Sequence, residues 1–287
     1  MSLRKINHFM KFRRVPICIC LVISQWFPGN QLHAQNTPAD SAQVKGENSA
    51  VFSIDVLSSV IYSGRNYGVE QMGFNPSIIF YHKSGFILNL YSYGMEKTEG
   101  LITETDLGIA YKFQIHPKMT LTPGYAYLFN RVQDEKVLFN VFNLGTGLNL
   151  KIFSINNYLG FSFGGGRTSW YEEFSIAKYI SLLYREKGSI AISPTFVSIL
   201  GTKYSVTFIN YPESETSTQV ESFKFLPLCI SFQLPVTFTL RSFSLTLAPH
   251  YDIPLNIDLP LESSLTGNPF FFTGKISYTL TNKTKNR

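Results

Sequence analysis

From about residue 50 to residue 280, bulky apolar residues recur at every second position. The stretch 101–115 shows this best. Leu107, Ile109, Tyr111, Phe113 and Ile115 fall on one parity, and Asp106, Gly108, Ala110, Lys112 and Gln114 on the other. Successive side chains of a β-strand point to opposite faces, so these residues form one apolar and one polar surface, whereas a helix would scatter both sets around its axis. The pattern returns in 51–62, where Phe52, Ile54, Val56, Val60 and Tyr62 oppose Ser53, Asp55 and Ser59. In 243–253, Phe243, Leu245, Leu247, Tyr251 and Ile253 oppose Ser244, Thr246, Ala248, His250 and Asp252; 270–280 behaves in the same way.

The make-up of the two faces narrows the fold. The polar face is built mostly from Gly, Ala, Ser, Thr and Asn, with few long charged residues. A soluble sandwich turns its large residues inward and covers the outside with Lys and Glu. A barrel in lipid does the reverse: its bulky residues meet acyl chains, and small polar ones fit the lumen. Composition agrees, with 15% aromatic residues and 15% charged ones, against roughly 25% charged in soluble domains.

Short turns are predicted near Lys83-Ser84-Gly85, His116-Pro117-Lys118, residues 154–157, Lys187-Gly188 and residues 239–241. Longer polar segments alternate with them at 63–71, 95–100, 131–136, 165–173, 210–222 and 254–268. Short turns at one end and long loops at the other are the asymmetry of a membrane barrel. Counting between connections predicts about twelve strands, with ten or fourteen as alternatives: 51–62, 73–82, 86–94, 101–115, 119–130, 137–152, 158–164, 174–185, 189–209, 223–238, 242–253 and 270–280. Pro76, Pro123, Pro194, Pro227 and Pro249 fall inside these strands. Each lacks a ladder donor, so each should mark a bulge or a strand end.

The N-terminus changes the picture of charge and compartment. Residues 1–14 are basic, 15–27 are an apolar run of signal-peptide length, and Leu32-His33-Ala34 supplies a cleavage site. The chain thus divides into a signal peptide (1–34), a flexible lead-in (35–49), a barrel (50–281) and a polar tail (282–287). The formal charge of +6 belongs to the signal: five of the 25 cations precede residue 35, where no acid occurs, leaving 20 against 19 acids. No basic patch remains to argue for nucleic acid. Cys18 and Cys20 lie in the signal, so the mature chain keeps Cys229 alone, and no metal or cofactor signature is present.

The run GFNPSIIFYHKSGFILNLYSYG, the closing strand FFFTGKISYTL and the signal ending before Gln35 resemble those of Gram-negative outer-membrane β-barrel proteins. The resemblance covers about residues 50–280. It implies a single antiparallel transmembrane β-barrel in the bacterial outer membrane, in contact with outer-membrane lipid. Such proteins often end on an aromatic residue, whereas this chain continues past Leu280; Tyr278 and Leu280 stand in for that ending.

No catalytic motif stands out. His82 and His116 border turns, and Gly164-Gly165-Gly166-Arg167 lacks the Lys and helix of a phosphate loop. His250 and Asp252 share the lumenal face, and Ser263 and Ser264 follow in a loop; this is the one arrangement that would suit an acyl hydrolase. The lumenal polar residues expected to matter are Asp55, Asp106, Lys112, Arg185, His250, Asp252 and Lys275. They would tune selectivity in a wet pore or pair across a closed one. Lys178 interrupts an apolar face, and Glu213, Glu215 and Glu221 make an acidic loop. The resulting expectation is a non-enzymatic barrel that passes or binds small solutes, or supports another envelope protein. The alternatives are an outer-membrane lipid-modifying hydrolase and a secreted soluble β-sandwich or lipocalin-like binder.

Overall fold

A computed structural model describes residues 47–58, 61–62, 65–66, 72–95, 104–132, 135–164, 167–185, 187–211, 216–256 and 270–282. The signal segment, the cleavage site after Ala34, the lead-in up to residue 46, Glu213, Glu215, Ser263, Ser264 and the tail beyond Asn282 lie outside the described residues. Twelve long strands form one antiparallel ring. They are β1 (Asn48–Leu57), β2 (Gly73–Tyr81), β3 (Phe86–Met95), β4 (Glu104–Tyr111 and Phe113–His116), β5 (Met119–Val132) and β6 (Glu135–Asn149). Next come β7 (Ser154–Gly164), β8 (Arg167–Ala177 and Ile180–Arg185), β9 (Gly188–Ile192 and Thr195–Tyr211), β10 (Thr216–Gln233 and Val236–Leu240), β11 (Phe243–Pro254) and β12 (Phe270–Asn282). Each pairs with its neighbour in sequence, and β12 pairs back onto β1 from Asn48↔Asn282 to Leu57↔Thr273, which closes the ring. Both barrel ends therefore lie on the side of the short turns.

Following the register partner by partner round the ring returns to β1 about 16 positions from the start, a stagger that tilts twelve strands by about 40–45°. With strands about 4.7 Å apart, the backbone cylinder has a radius of about 12 Å. That leaves a central space once one ring of inward side chains is subtracted.

The bulky parity faces outward all round. Ile54, Leu107, Phe142, Leu247, Phe272 and Ile276 are each about half exposed, while Ser53, Asp106, Ser244, Thr246, His250 and Asp252 are buried on the inner wall. This arrangement excludes the soluble sandwich, which would bury the first set. The inner wall is less uniformly polar than expected. Tyr158, Tyr171, Val197, Ile199, Leu228 and Cys229 form an apolar cluster on the β7–β10 side, so a narrow lumen is partly filled by packed side chains.

All five strand prolines fall at ladder interruptions. The β2–β3 ladder skips Asn75 and Pro76. Pro123 faces the break in β4, Pro194 divides β9, and Pro227 lies at the bulge where Ile199 pairs Cys229 but Leu200 pairs Pro227. Pro249 lies where β11 changes partners within β10. The chain spends its missing donors where no ladder bond is due.

Several boundaries move. The turn expected at 154–157 lies at 150–153, closed by Leu150 N–H donating to Phe153 O (2.9 Å). The loops expected at 165–173 and 210–222 are strand over most of their length, and Glu221 pairs Val206. Within the first of them Glu173 points inward and is 3% exposed. In β8 a shift between Ser181 and Leu183 changes the parity, so Arg185 pairs Gly188, which in turn pairs Leu240. Lys178 lies in the gap between the two pieces of β8, where its N–H donates to Pro194 O.

Candidate lumenal binding site

Two zones make up the inner wall. Around β10, β11, β12, β1 and β2 it is a layer in which hydroxyls pair across the strands. Ser53–Ser77 and Ser244–Ser277 are direct cross-strand partners with oxygens 2.6 Å apart. Thr237–Thr246 repeats the arrangement at 3.0 Å. Small hydroxyls fit because cross-strand partners on a narrow concave wall crowd one another. Lys275 Nζ meets Asp55 Oδ2 at 3.4 Å in the same layer. His250 hydrogen-bonds Thr273 through Nε2 (2.9 Å) and stacks on Phe271 with ring centroids 4.5 Å apart. Asp252 is buried two residues further along the same face.

The opposite wall, β2 to β8, lines a partly open cavity of about 180 Å³. Asn89, Tyr91, Asp106, Lys112, Asn143, Asn156, Tyr158, Glu173 and Ser175 contribute to its lining. A repeated device holds the amides: Asn89 stands opposite Gly108, Asn143 opposite Gly124, and Asn156 opposite Gly147. A Cβ on Gly108 or Gly124 would collide with the facing amide. The missing side chain lets each amide lie against the wall and leaves the centre open. Tyr171 donates its hydroxyl proton to Glu173 Oε2 (2.9 Å) and orients that carboxylate.

Four buried polar atoms of this lining have no hydrogen-bond partner: Asn89 Oδ1, Asp106 Oδ1, Asn156 Nδ2 and Ser175 Oγ. Buried polar groups are rarely left unpaired without cost, and here all four border one cavity. The arrangement suits a small polar occupant that offers both donors and acceptors.

Of the residues expected from sequence, Asp106 and Lys112 line this cavity, Asp55 and Lys275 form the ion pair, and His250 and Asp252 belong to the hydroxyl layer. Arg185 reaches neither zone. His82 and His116 are turn residues: His82 Nδ1 contacts Ser84 Oγ (2.8 Å), and His116 Nδ1 accepts from Lys118 N–H (3.2 Å). Sequence reasoning missed Asn89, Asn156, Glu173 and Ser175. Their inward parity was available as a signal, but nothing local tells which glycine each amide faces.

No known family model matches the sequence, and no curated protein matches it. Among solved structures it is similar to KdgM porin at 8% identity and TM-score 0.45, over 80% of this chain and 98% of that one. It is similar to NanC porin at 7% identity and TM-score 0.43, over 82% and 99%, and to LpxR from Salmonella typhimurium at 9% and 0.41, over 80% and 99%. These likenesses are too distant to carry function across. Ring closure and the outward apolar rows define the class by themselves: a twelve-stranded transmembrane β-barrel of the outer-membrane type, in which each strand has a paired neighbour on both sides.

Proposed function

We propose that this barrel sits in a bacterial outer membrane after export and removal of residues 1–34, and that it binds and passes small polar solutes through its lumen. The observation that carries the reading is the chamber lined by amide, hydroxyl and carboxylate groups inside a ring whose outer wall is apolar. A barrel serving only as a scaffold would gain from pairing those four atoms or replacing them with packed apolar groups. The hydroxyl layer offers less to a hydrolase. His250 is engaged by Thr273 and Phe271, as a structural residue of the wall would be.

The test is reconstitution of the mature chain in planar bilayers and in liposomes. Discrete conductance steps and osmotic swelling in small neutral solutes are expected. A barrel that inserts but neither conducts nor swells liposomes would end the solute-passage reading.

A further inference from the structure

Resting on that reading, we infer that the chamber takes a small, hydroxyl-rich solute carrying no negative charge, held by Asn89, Asp106, Asn156 and Ser175. The four unpartnered atoms set the hydrogen-bond pattern. Asn89 Oδ1 only accepts, Asp106 Oδ1 accepts when its carboxyl is ionised, Asn156 Nδ2 only donates, and Ser175 Oγ does either. A hydroxyl group donates and accepts at once, so a molecule bearing several of them matches this mixed set. A solute offering only acceptors leaves Asn89 and Asp106 unmet.

Charge decides the rest. Among the described residues the lining holds Asp106 and Glu173 against Lys112 alone. Glu104 stands two residues from Asp106 on the same face of β4, and Asp55 and Lys275 answer each other on the far wall. An anion entering this chamber meets more acidic side chains than basic ones, with Lys112 as the one ammonium of the lining. A neutral molecule, or one bearing an amino group, meets no such barrier. Size agrees: a cavity of about 180 Å³ has room for one small solute. Tyr91 and Tyr158 on the lining supply flat apolar surface for the C–H face of such a ring.

Three probes of like size separate the possibilities: glucose (neutral), glucosamine (cationic) and glucuronate (anionic). Calorimetric titration into the full mature chain in detergent reads binding without requiring conduction; current block in bilayers reads entry. Glucose and glucosamine are expected to bind saturably, and glucuronate at least tenfold more weakly. Asp106→Asn, a near-isosteric change, is expected to weaken glucosamine at least fivefold and narrow the gap to glucuronate. Ser175→Ala is expected to weaken glucose without altering the far-ultraviolet spectrum of the barrel. Equal binding of all three probes, preferential binding of glucuronate, or no saturable binding by any of them overturns the inference. A barrel that binds glucose but never conducts would instead overturn the passage reading and leave the chamber assignment standing.

Discussion

Lys275 Nζ stands 3.4 Å from Asp55 Oδ2, and the two residues are direct partners on β12 and β1, the last and first strands of the ring. The pair lies on the closing seam, 220 positions apart in sequence. Each side chain is only 15% exposed, so neither can exchange its partner for bulk water. Asp55→Asn or Lys275→Met leaves one charge facing the lumen unanswered. Either should cost about 1–3 kcal/mol, read as a lower unfolding midpoint in detergent. The reversed pair, Asp55→Lys with Lys275→Asp, should recover part of that loss. Equal stability of all the variants would mean that the seam does not use the pair.

Glu172 makes the opposite case. It shares the outward parity of Trp170 and Ile176, which are 57% and 37% exposed, and its Oε1 accepts from Asn157 Nδ2 at 2.8 Å. A carboxylate on a lipid-facing wall is a cost softened by one amide donor. Glu172→Gln keeps the hydrogen bond and removes the charge, and should raise stability by about 1 kcal/mol in lipid vesicles. A drop in the unfolding midpoint would show that the charge itself is useful to the fold.

The glycine-faced amides give a graded test. Gly108→Val drives a side chain into the space of the Asn89 amide and should push it into the chamber, reducing solute entry several-fold. Gly274→Ala is the control. A Cβ there meets only Leu247 Cδ2 at 3.6 Å, an ordinary contact, so liposome swelling rates should match those of the parent protein.

Cys229 is fully buried in the inner apolar cluster. In the folded barrel it should resist a maleimide reagent that labels readily after unfolding. The number of labels counts the processing step as well. One thiol per unfolded chain is expected once the signal is removed, against three if Cys18 and Cys20 remain.

Alternation along a strand is a local property. A residue's parity fixes its face wherever the strand runs unbroken, and the ratio of bulky to small residues says which face meets lipid. Those two facts, with the connections counted between strands, were enough for the barrel class and a count of about twelve strands. Parity fails wherever a bulge inserts a residue, and no local pattern announced the shift between Ser181 and Leu183. Register is non-local, since it depends on which residue of a distant strand comes to lie opposite. The Asn89–Gly108 pairing, the seam between Asp55 and Lys275, and the gathering of four unpartnered polar atoms around one cavity were therefore decided only when the ring closed.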